Sequence, residues 1–320
     1  MPQTKKKLIL WQLPMQRVLY ALAPLAIASV YLFGWRGLLV ILTANVAGFA
    51  TEWLFLKNEK QPVSSAVFVT NSILALSIPV TLPLWMVALG AVFAVTFGKM
   101  VFGGFGRNIF NPAMVGRAFL YVSFGRHMTN MWVEPYSGFP AGFAHLWRGN
   151  TPDALTGATP LKILAEGGNV PLMDLILGAI PGSLGETSAV LIILGGLFII
   201  WKKAANYRIV VGGLVGMLIT QALLWHFKVP NAITPWEALF AGGFLFGVFF
   251  VATDPVSAAT TDPGRWIFGA FVGIMTVLIR VYSSWAEGLM FAVLLGNMFN
   301  PIMDHVIKEQ QKKKKAEAGS

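Results

Sequence analysis

The stretch PLWMVALGAVFAVTFGKMV, residues 83–101, decides the class of this fold, because it holds a single charged side chain, Lys99. An apolar run of this length forms a helix that spans the hydrocarbon core of a bilayer, which takes about 17–25 residues. Of the 320 residues, 56% are hydrophobic and 12% are charged, whereas soluble domains carry about 25% charged residues. The sequence therefore predicts a membrane protein.

Similar apolar runs recur from end to end, and they predict an all-α polytopic membrane protein with about ten transmembrane helices. One further apolar piece, residues 171–183, is short and contains Pro181 and Gly182, so we interpret it as re-entrant or interfacial. The polar, basic start of the chain, Met1 to Lys7, does not predict a cleaved signal. The predicted spans are residues 17–33, 37–56, 64–80, 83–101, 108–124, 187–201, 209–225, 236–252, 266–281 and 285–303.

The net charge of +10 is concentrated near the ends of the predicted spans, which indicates membrane topology and argues against nucleic-acid binding. With ten spans, the positive-inside rule places both termini in the cytoplasm. The chain then divides into a basic cytoplasmic N-terminus (residues 1–16), a single transmembrane domain (residues 17–305) and a basic cytoplasmic tail (residues 306–320). The loop of residues 125–170 is expected on the extracytoplasmic side.

The chain contains no cysteine, which excludes disulfides, thiolate chemistry and cysteine-held iron–sulfur clusters within it. Its four histidines stand near span ends or in loops, without the spacing of metal ligands. We therefore predict no metal site and no catalytic side chain.

Two similar motifs indicate an internal repeat. GRNIFNPAM, residues 106–114, resembles GNMFNPIM, residues 296–303, and each contains an Asn-Pro pair that interrupts helical pairing within an apolar run. Paired interruptions of this kind predict an inverted internal repeat with a site near the membrane midplane. The glycines before the first motif, Gly103 and Gly104, favour close helix packing, although a flat cofactor could also lie against them.

Charged side chains within or beside predicted spans are candidates for function, because charge is costly in lipid. Glu186 in LGETS and Asp254 in ATDPVS adjoin predicted helix breaks, where either ion handling or a helix N-cap would explain an acid. Glu52 and Arg280 are expected to extend to the membrane interface.

The polar loop carries a string of the form D-x-x-T-G-A-T, made of Asp153, Thr156, Gly157, Ala158 and Thr159. A helix start, with one threonine as the cap and the following proline in the first turn, would explain the Thr-Pro pair but not the whole string.

Four motifs together resemble the RnfD/NqrB family, which holds membrane subunits of the Rnf complex and of the sodium-translocating NADH:quinone reductase. The resemblance covers residues 60–305, and TGATPL looks more like the Rnf branch. The motifs are the D-x-x-T-G-A-T string, VFGGFGRNIFNPAMVGRAFLYVSF (residues 101–124), PGSLGETSA (residues 181–189) and FVATDPVSAATTDPGRWIFGAFVGIMTVLIRV (residues 250–281).

The resemblance implies that a flavin transferase attaches FMN to Thr159 through its phosphate, with the other residues of the string as the recognition sequence. It also implies a second, non-covalent flavin such as riboflavin, which we expect at Asn111 and Asn300 beside Gly103 and Gly104. The iron–sulfur centres would then belong to partner subunits, which agrees with the lack of cysteine.

The expected function is that of an electron-relaying, ion-translocating subunit of an Rnf-type complex in a bacterial or archaeal cell membrane. The equivalent NqrB component of the NADH:quinone reductase is the alternative, and an inverted-repeat transporter or channel without redox chemistry is a second alternative. The chain alone is not expected to be active. The resemblance implies that both branches share the fold and the bound flavin, whereas the ion and the electron donor are set largely by partner subunits.

Overall fold

The computed structural model describes residues 8–146, 155–156, 159–186, 188–283, 285 and 287–318. Within these ranges the chain is mostly helical and has almost no sheet, which confirms the all-α prediction. The short strands Ile9–Leu10 (β1) and Val63–Ser64 (β2) pair in parallel, and Trp132–Val133 (β3) pairs antiparallel with Leu155–Thr156 (β4).

Each of the ten predicted spans contains a helix, and the helices form two sets of five. The first set is α1 (Leu13–Phe33), α2 (Arg36–Leu56), α3 (Ala66–Leu76), α4 (Leu84–Gly98) and α5 (Pro112–Ser123). Three short helices follow, α6 (Gly125–Thr129), α7 (Pro160–Ala165) and α8 (Leu172–Leu177). The second set is α9 (Ala189–Trp201), α10 (Tyr207–His226), the broken pair α11 (Pro235–Phe240) and α12 (Phe244–Phe246), α13 (Asp262–Tyr282) and α14 (Leu289–Ala318). A π-helical turn, Gly247–Val251, continues α12.

Six helices in the described part of the chain are long and apolar enough to cross a membrane, namely α1, α2, α4 with its following turn, α10, α13 and α14. Helices α3 and α9 are apolar but shorter. The structure therefore supports a polytopic membrane protein, while the number of ten crossings stays a prediction. The piece at residues 171–183 holds only the six residues of α8, too few to cross.

The structure corrects several predicted span limits. The span predicted at 108–124 begins as a helix only at Pro112, because Asn111 is its N-cap and accepts from the Met114 N–H at 3.3 Å. The span predicted at 236–252 is interrupted at residues 241–243. The break predicted at Asn300–Pro301 is wrong, since α14 continues through Pro301 and extends to Ala318.

The two sets of five pack in the same way. The second helix of each set packs on the fourth, α2 on α4 and α10 on α13, and the fourth packs on the fifth, α4 on α5 and α13 on α14. At the α10–α13 interface the backbones approach so closely that a Cβ on Gly273 would lie 2.2 Å from the Gly213 carbonyl oxygen. This repeated packing supports the internal repeat, whose inverted orientation stays a prediction.

Candidate functional site

Thr159 is the N-cap residue of α7. Its backbone is extended, its side-chain oxygen accepts from the Lys162 N–H at 3.4 Å, and Pro160 opens the helix. The helix-start interpretation is therefore confirmed for this threonine. Thr156 lies in β4, opposite Trp132 of β3. Asp153, Gly157 and Ala158 lie outside the described residues.

A cavity of about 540 Å³ opens beside Thr159. This volume falls within the range of small-molecule sites in proteins, which is about 300–1,000 Å³. The end of α5, helix α6, strand β3, the start of α7 and the segment before α14 form its walls. The lining residues are Tyr121, Val122, Gly125, Met128, Thr129, Asn130, Trp132, Thr159, Lys162, Trp285 and Glu287.

The cavity combines flat aromatic walls with a few polar groups. The Trp285 ring stacks on Phe291 with centroids 4.2 Å apart, and Tyr121 meets Trp285 edge-on at 6.1 Å. Trp132 is buried, with its indole N–H held by the Thr129 carbonyl at 2.7 Å. Such walls fit a planar ring system, because aromatic rings stack on one another at these distances.

Lys162 and Thr159 share the rim of the same cavity. The Lys162 ammonium is more than half exposed and lies 4.0 Å from the Glu166 carboxylate. Because an ammonium has three donors, this weak surface pair leaves others available to a second anion. A hydroxyl, a cation and aromatic walls at one cavity fit a flavin mononucleotide, whose phosphate is anionic and whose ring is flat. Thr159 therefore lies beside a cavity that could accommodate the FMN predicted to be attached to it.

A buried charge network lies behind this cavity. Arg117, on α5, is only 2% exposed and forms ion pairs with two carboxylates. One is Glu186, whose Oε1 accepts from Arg117 Nη1 at 3.1 Å. The other is Glu287, which also lines the cavity. Arg117 therefore connects a wall of the cavity with the interior of the helix bundle.

Glu186 reaches from Arg117 to the interruption between α11 and α12. Its carboxylate lies so close to Gly243 that a Cβ there would be 2.5 Å away. On the other side of the interruption, Arg280 donates to the carbonyls of Ala238 at 2.9 Å and Ala241 at 3.3 Å. The N-cap interpretation of Glu186 is wrong, because Ser188 is the N-cap residue of α9. Arg280 thus holds the end of α11 through these two carbonyls, and its extension to the membrane interface stays a prediction.

The predicted residues Asn111 and Asn300 meet at a second site, near the other end of α5. Asn111 donates its N–H to Asn297 Oδ1 at 2.9 Å and its amide to the Val251 carbonyl at 3.2 Å. Asn297 and Asn300 both donate to the Ser257 carbonyl, at 3.1 Å and 2.8 Å. The buried Asn300 Oδ1 has no hydrogen-bond partner among the described residues. A cavity of about 370 Å³ lies against Asn297 and Asn300.

Gly103 and Gly104 do not line this second cavity. Their φ angles of +100° and +91° form a left-handed turn after α4, a conformation that glycine adopts without strain. The structure thus brings together the asparagines of the predicted second site but gives the glycines a role in the turn.

Asp254 follows the π-helical turn and closes a tight turn of its own. Its carboxylate accepts from the Ser257 hydroxyl at 2.7 Å and from the Ser257 N–H at 3.3 Å. The helix N-cap interpretation of Asp254 is wrong, because the next helix, α13, has Thr261 as its N-cap. The short side chain of Asp254 instead satisfies donors within a turn. A role of Glu186 or Asp254 in ion handling stays a prediction.

Two charged residues of this interior were missed from the sequence. Glu287 was not singled out, and no buried partner was predicted for Lys99. Lys99 is instead buried and pairs with Glu52 at 2.6 Å, while Glu52 also accepts from the Ser64 N–H at 3.1 Å. The expected position of Glu52 at the interface is therefore wrong. The signal was available, because Lys99 is the one charge in residues 83–101.

Comparisons with known proteins agree on one family. The model of the NQR2, RnfD, RnfE family matches residues 4–313. One subunit of the Na(+)-translocating NADH-quinone reductase of Ectopseudomonas mendocina is 41% identical over 285 residues, covering 85% of this chain and 67% of that protein. The Klebsiella pneumoniae counterpart is 38% identical over 299 residues, which cover 88% of this chain and 68% of that protein. The Neisseria meningitidis counterpart is 40% identical over 283 residues, which cover 85% of this chain and 67% of that protein.

Proposed function

Because this chain belongs to the NQR2, RnfD, RnfE family, we propose that it relays electrons through FMN attached to Thr159 and couples this transfer to movement of Na⁺ or H⁺. It is a membrane subunit of an Rnf/Nqr-type ion-translocating electron transport complex. The covalent flavin, the coupling and the choice of ion are the proposed parts.

The single observation that carries the proposal is the position of Thr159 at the rim of an aromatic-walled cavity that also holds Lys162. When bound, FMN takes up and passes on electrons, while the protein supplies position and electrostatic environment. In this chain Thr159 would hold the phosphate by a covalent bond, and Lys162 would neutralise its remaining charge. Tyr121, Trp132 and Trp285 would flank the ring.

A second, non-covalent flavin is proposed at the asparagine junction. The unpartnered Oδ1 of Asn300 and the neighbouring cavity support it, because a buried acceptor without a donor is costly unless a ligand or water satisfies it. Asn111 would act from the N-terminus of α5, where it already fixes the junction.

The relatives reported above carry the name of the reductase branch, and this favours NADH:quinone reductase chemistry over the Rnf branch that TGATPL favours. In either branch, partner subunits with iron–sulfur and flavin centres would deliver and accept the electrons. A flavin transferase would be needed for maturation. The site of Thr159 would face away from the cytoplasm, with both termini on the cytoplasmic side.

A transporter without redox chemistry is the rival function. The interrupted helices α11 and α12 would suit it, since broken helices surround binding sites in inverted-repeat transporters. The D-x-x-T-G-A-T string and the aromatic cavity beside Thr159 would have no role in a transporter, and they favour the flavin-carrying subunit.

Thr159→Ala tests the proposal directly. The chain, produced together with a flavin transferase, should give a fluorescent band after denaturing electrophoresis, and Thr159→Ala should abolish that fluorescence because no hydroxyl remains to form the phosphoester. Thr129→Ala is the matched control, since it removes a hydroxyl from the same cavity but lies outside the string, and its band should stay fluorescent. A dark wild-type band, with the transferase active on another substrate, would overturn the proposal in favour of the transporter.

A further inference from the structure

Glu287 belongs both to the cavity and to the buried charge network. It lines the cavity beside Thr159, and its carboxylate forms an ion pair with Arg117. Its side chain is 17% exposed and that of Arg117 is 3% exposed. Among the described residues, the cavity wall has two charged side chains, Glu287 and Lys162, so Glu287 is its one carboxylate.

Charges in this position act strongly on whatever fills the cavity. The interaction of two charges rises as the surroundings become less polar, and ions in solution screen buried charges far less than exposed ones. Arg117 is shared between two carboxylates, Glu287 on the cavity side and Glu186 on the interior side. Apart from Lys162 at the exposed rim, the charge that the cavity experiences is therefore set by how well Arg117 neutralises Glu287.

We propose that the Arg117–Glu287 pair sets the reduction potential of the flavin held at Thr159. This inference rests on the proposed function, because it presupposes a flavin in the cavity. Reduction places additional electron density on the flavin, and a carboxylate in the wall opposes it while a guanidinium favours it. Arg117 acts through Glu287 and is a positioning residue, whereas Glu287 faces the cavity directly.

The network also connects the cavity to the interrupted helix. Arg117 holds Glu186, and Glu186 lies against Gly243 where α11 gives way to α12. Arg280 holds the carbonyls on the other side of the same interruption. Because coupling between two sites is reciprocal, a change at the interruption that moves Glu186 would also change the potential in the cavity.

The test is a dithionite titration of the full flavinylated chain, followed by the absorbance of the flavin. The Thr159→Ala chain, titrated in parallel, supplies the contribution of any other flavin, which is subtracted. Glu287→Gln removes the cavity carboxylate and leaves Arg117 charged, so the midpoint potential of the covalent flavin should move to a more positive value. Glu287→Asp keeps the charge and should return the potential towards that of the wild type.

Glu166→Gln is the matched control. It removes the same charge close to Thr159, but its side chain is 65% exposed, so water screens it and the potential should not move. An unchanged potential in Glu287→Gln, or an equal change in Glu166→Gln, overturns the inference. Glu287→Ala is the second variant if Glu287→Gln does not fold, and failure of both would identify the pair as purely structural. A wild-type chain without covalent flavin would instead contradict the proposed function.

Discussion

Arg117 has two carboxylate partners in a part of the molecule where unpaired charge is costly. Each partner has a different neighbourhood, since Glu287 faces the cavity and Glu186 faces the interrupted helix. The loss of one partner leaves the other in place, so single neutral substitutions can separate the two roles while the arginine stays paired.

Glu186→Gln should weaken the coupling between electron transfer and ion movement several-fold, because the carboxylate beside Gly243 is our first candidate for the ion path. Asp254→Asn tests the second candidate, whose carboxylate also closes a turn with Ser257. The measurement is ion uptake per electron transferred by the complex with its partner subunits in proteoliposomes. A variant that keeps full coupling removes its residue from the ion path.

Local chemistry made some of these residues predictable from the sequence. Thr159 and Asn111 each precede a proline and cap the helix that follows, so neighbouring residues determine their roles. Glu287 and Lys99 depend on partners 170 and 47 positions away, Arg117 and Glu52. Only the packing of distant helices brings such partners together, and the sequence does not show that packing.

At the scale of elements, the ion pair of Lys99 and Glu52 connects α2 to the turn after α4. Both side chains are nearly inaccessible, at 2% and 1% exposure. Removing one member of a buried pair costs about 3–5 kcal/mol, because the remaining charge has no partner. The pair is therefore a specific constraint on how the two helices fit, in addition to their apolar packing.

Lys99→Met and Glu52→Gln should each lower the stability of the purified protein by about 3–5 kcal/mol. The double variant should lose clearly less stability than the two single variants added together. Neither charge is then left unpaired, and Gln can still accept from the Ser64 N–H. Thermal midpoints in detergent measure this, with Glu59→Gln as an exposed control. Additive losses in the double variant would show that the pair has no coupling energy.

Proline affects the elements differently at its two Asn-Pro motifs. Pro112 opens α5, where the missing N–H is not needed, whereas Pro301 lies inside α14 and the helix continues through it. The sequence predicted a break at both. Tertiary contacts distinguish the two motifs. Asn300 and its neighbour Asn297 both donate to the Ser257 carbonyl, and this contact supports α14 at Pro301.

At the scale of the whole molecule, the two sets of five helices share one packing pattern. An odd number of crossings in each half would give the halves opposite orientations in the membrane. The periodic apolar runs made the helices themselves predictable, whereas their exact limits and interruptions depend on caps, turns and contacts between the halves.

The cysteine-free chain allows this topology to be tested with single substitutions. Glu166→Cys, in the loop of Thr159, should react with a membrane-impermeant maleimide added to intact cells. Glu59→Cys, in the turn after α2, should react only after the cells are permeabilised, because the positive-inside rule places it in the cytoplasm. Both sites are exposed. Equal reaction of the two in intact cells would refute the proposed orientation.

Helix α14 is longer than a membrane crossing requires. Its 30 residues span about 45 Å at about 1.5 Å per residue, whereas the hydrocarbon core of a bilayer is about 30 Å thick. Its last turns, which hold Lys312 to Lys315, are exposed, and because the helix is longer than that core we expect these turns to lie outside it. The length of the helix would then set how far from the membrane the lysines lie, and its helical phase would set the direction in which they point. Lengthening or shortening α14 by about one helical turn would move the lysines along the helix axis and keep the direction in which they point. A change of about half a turn would make them point to the opposite side.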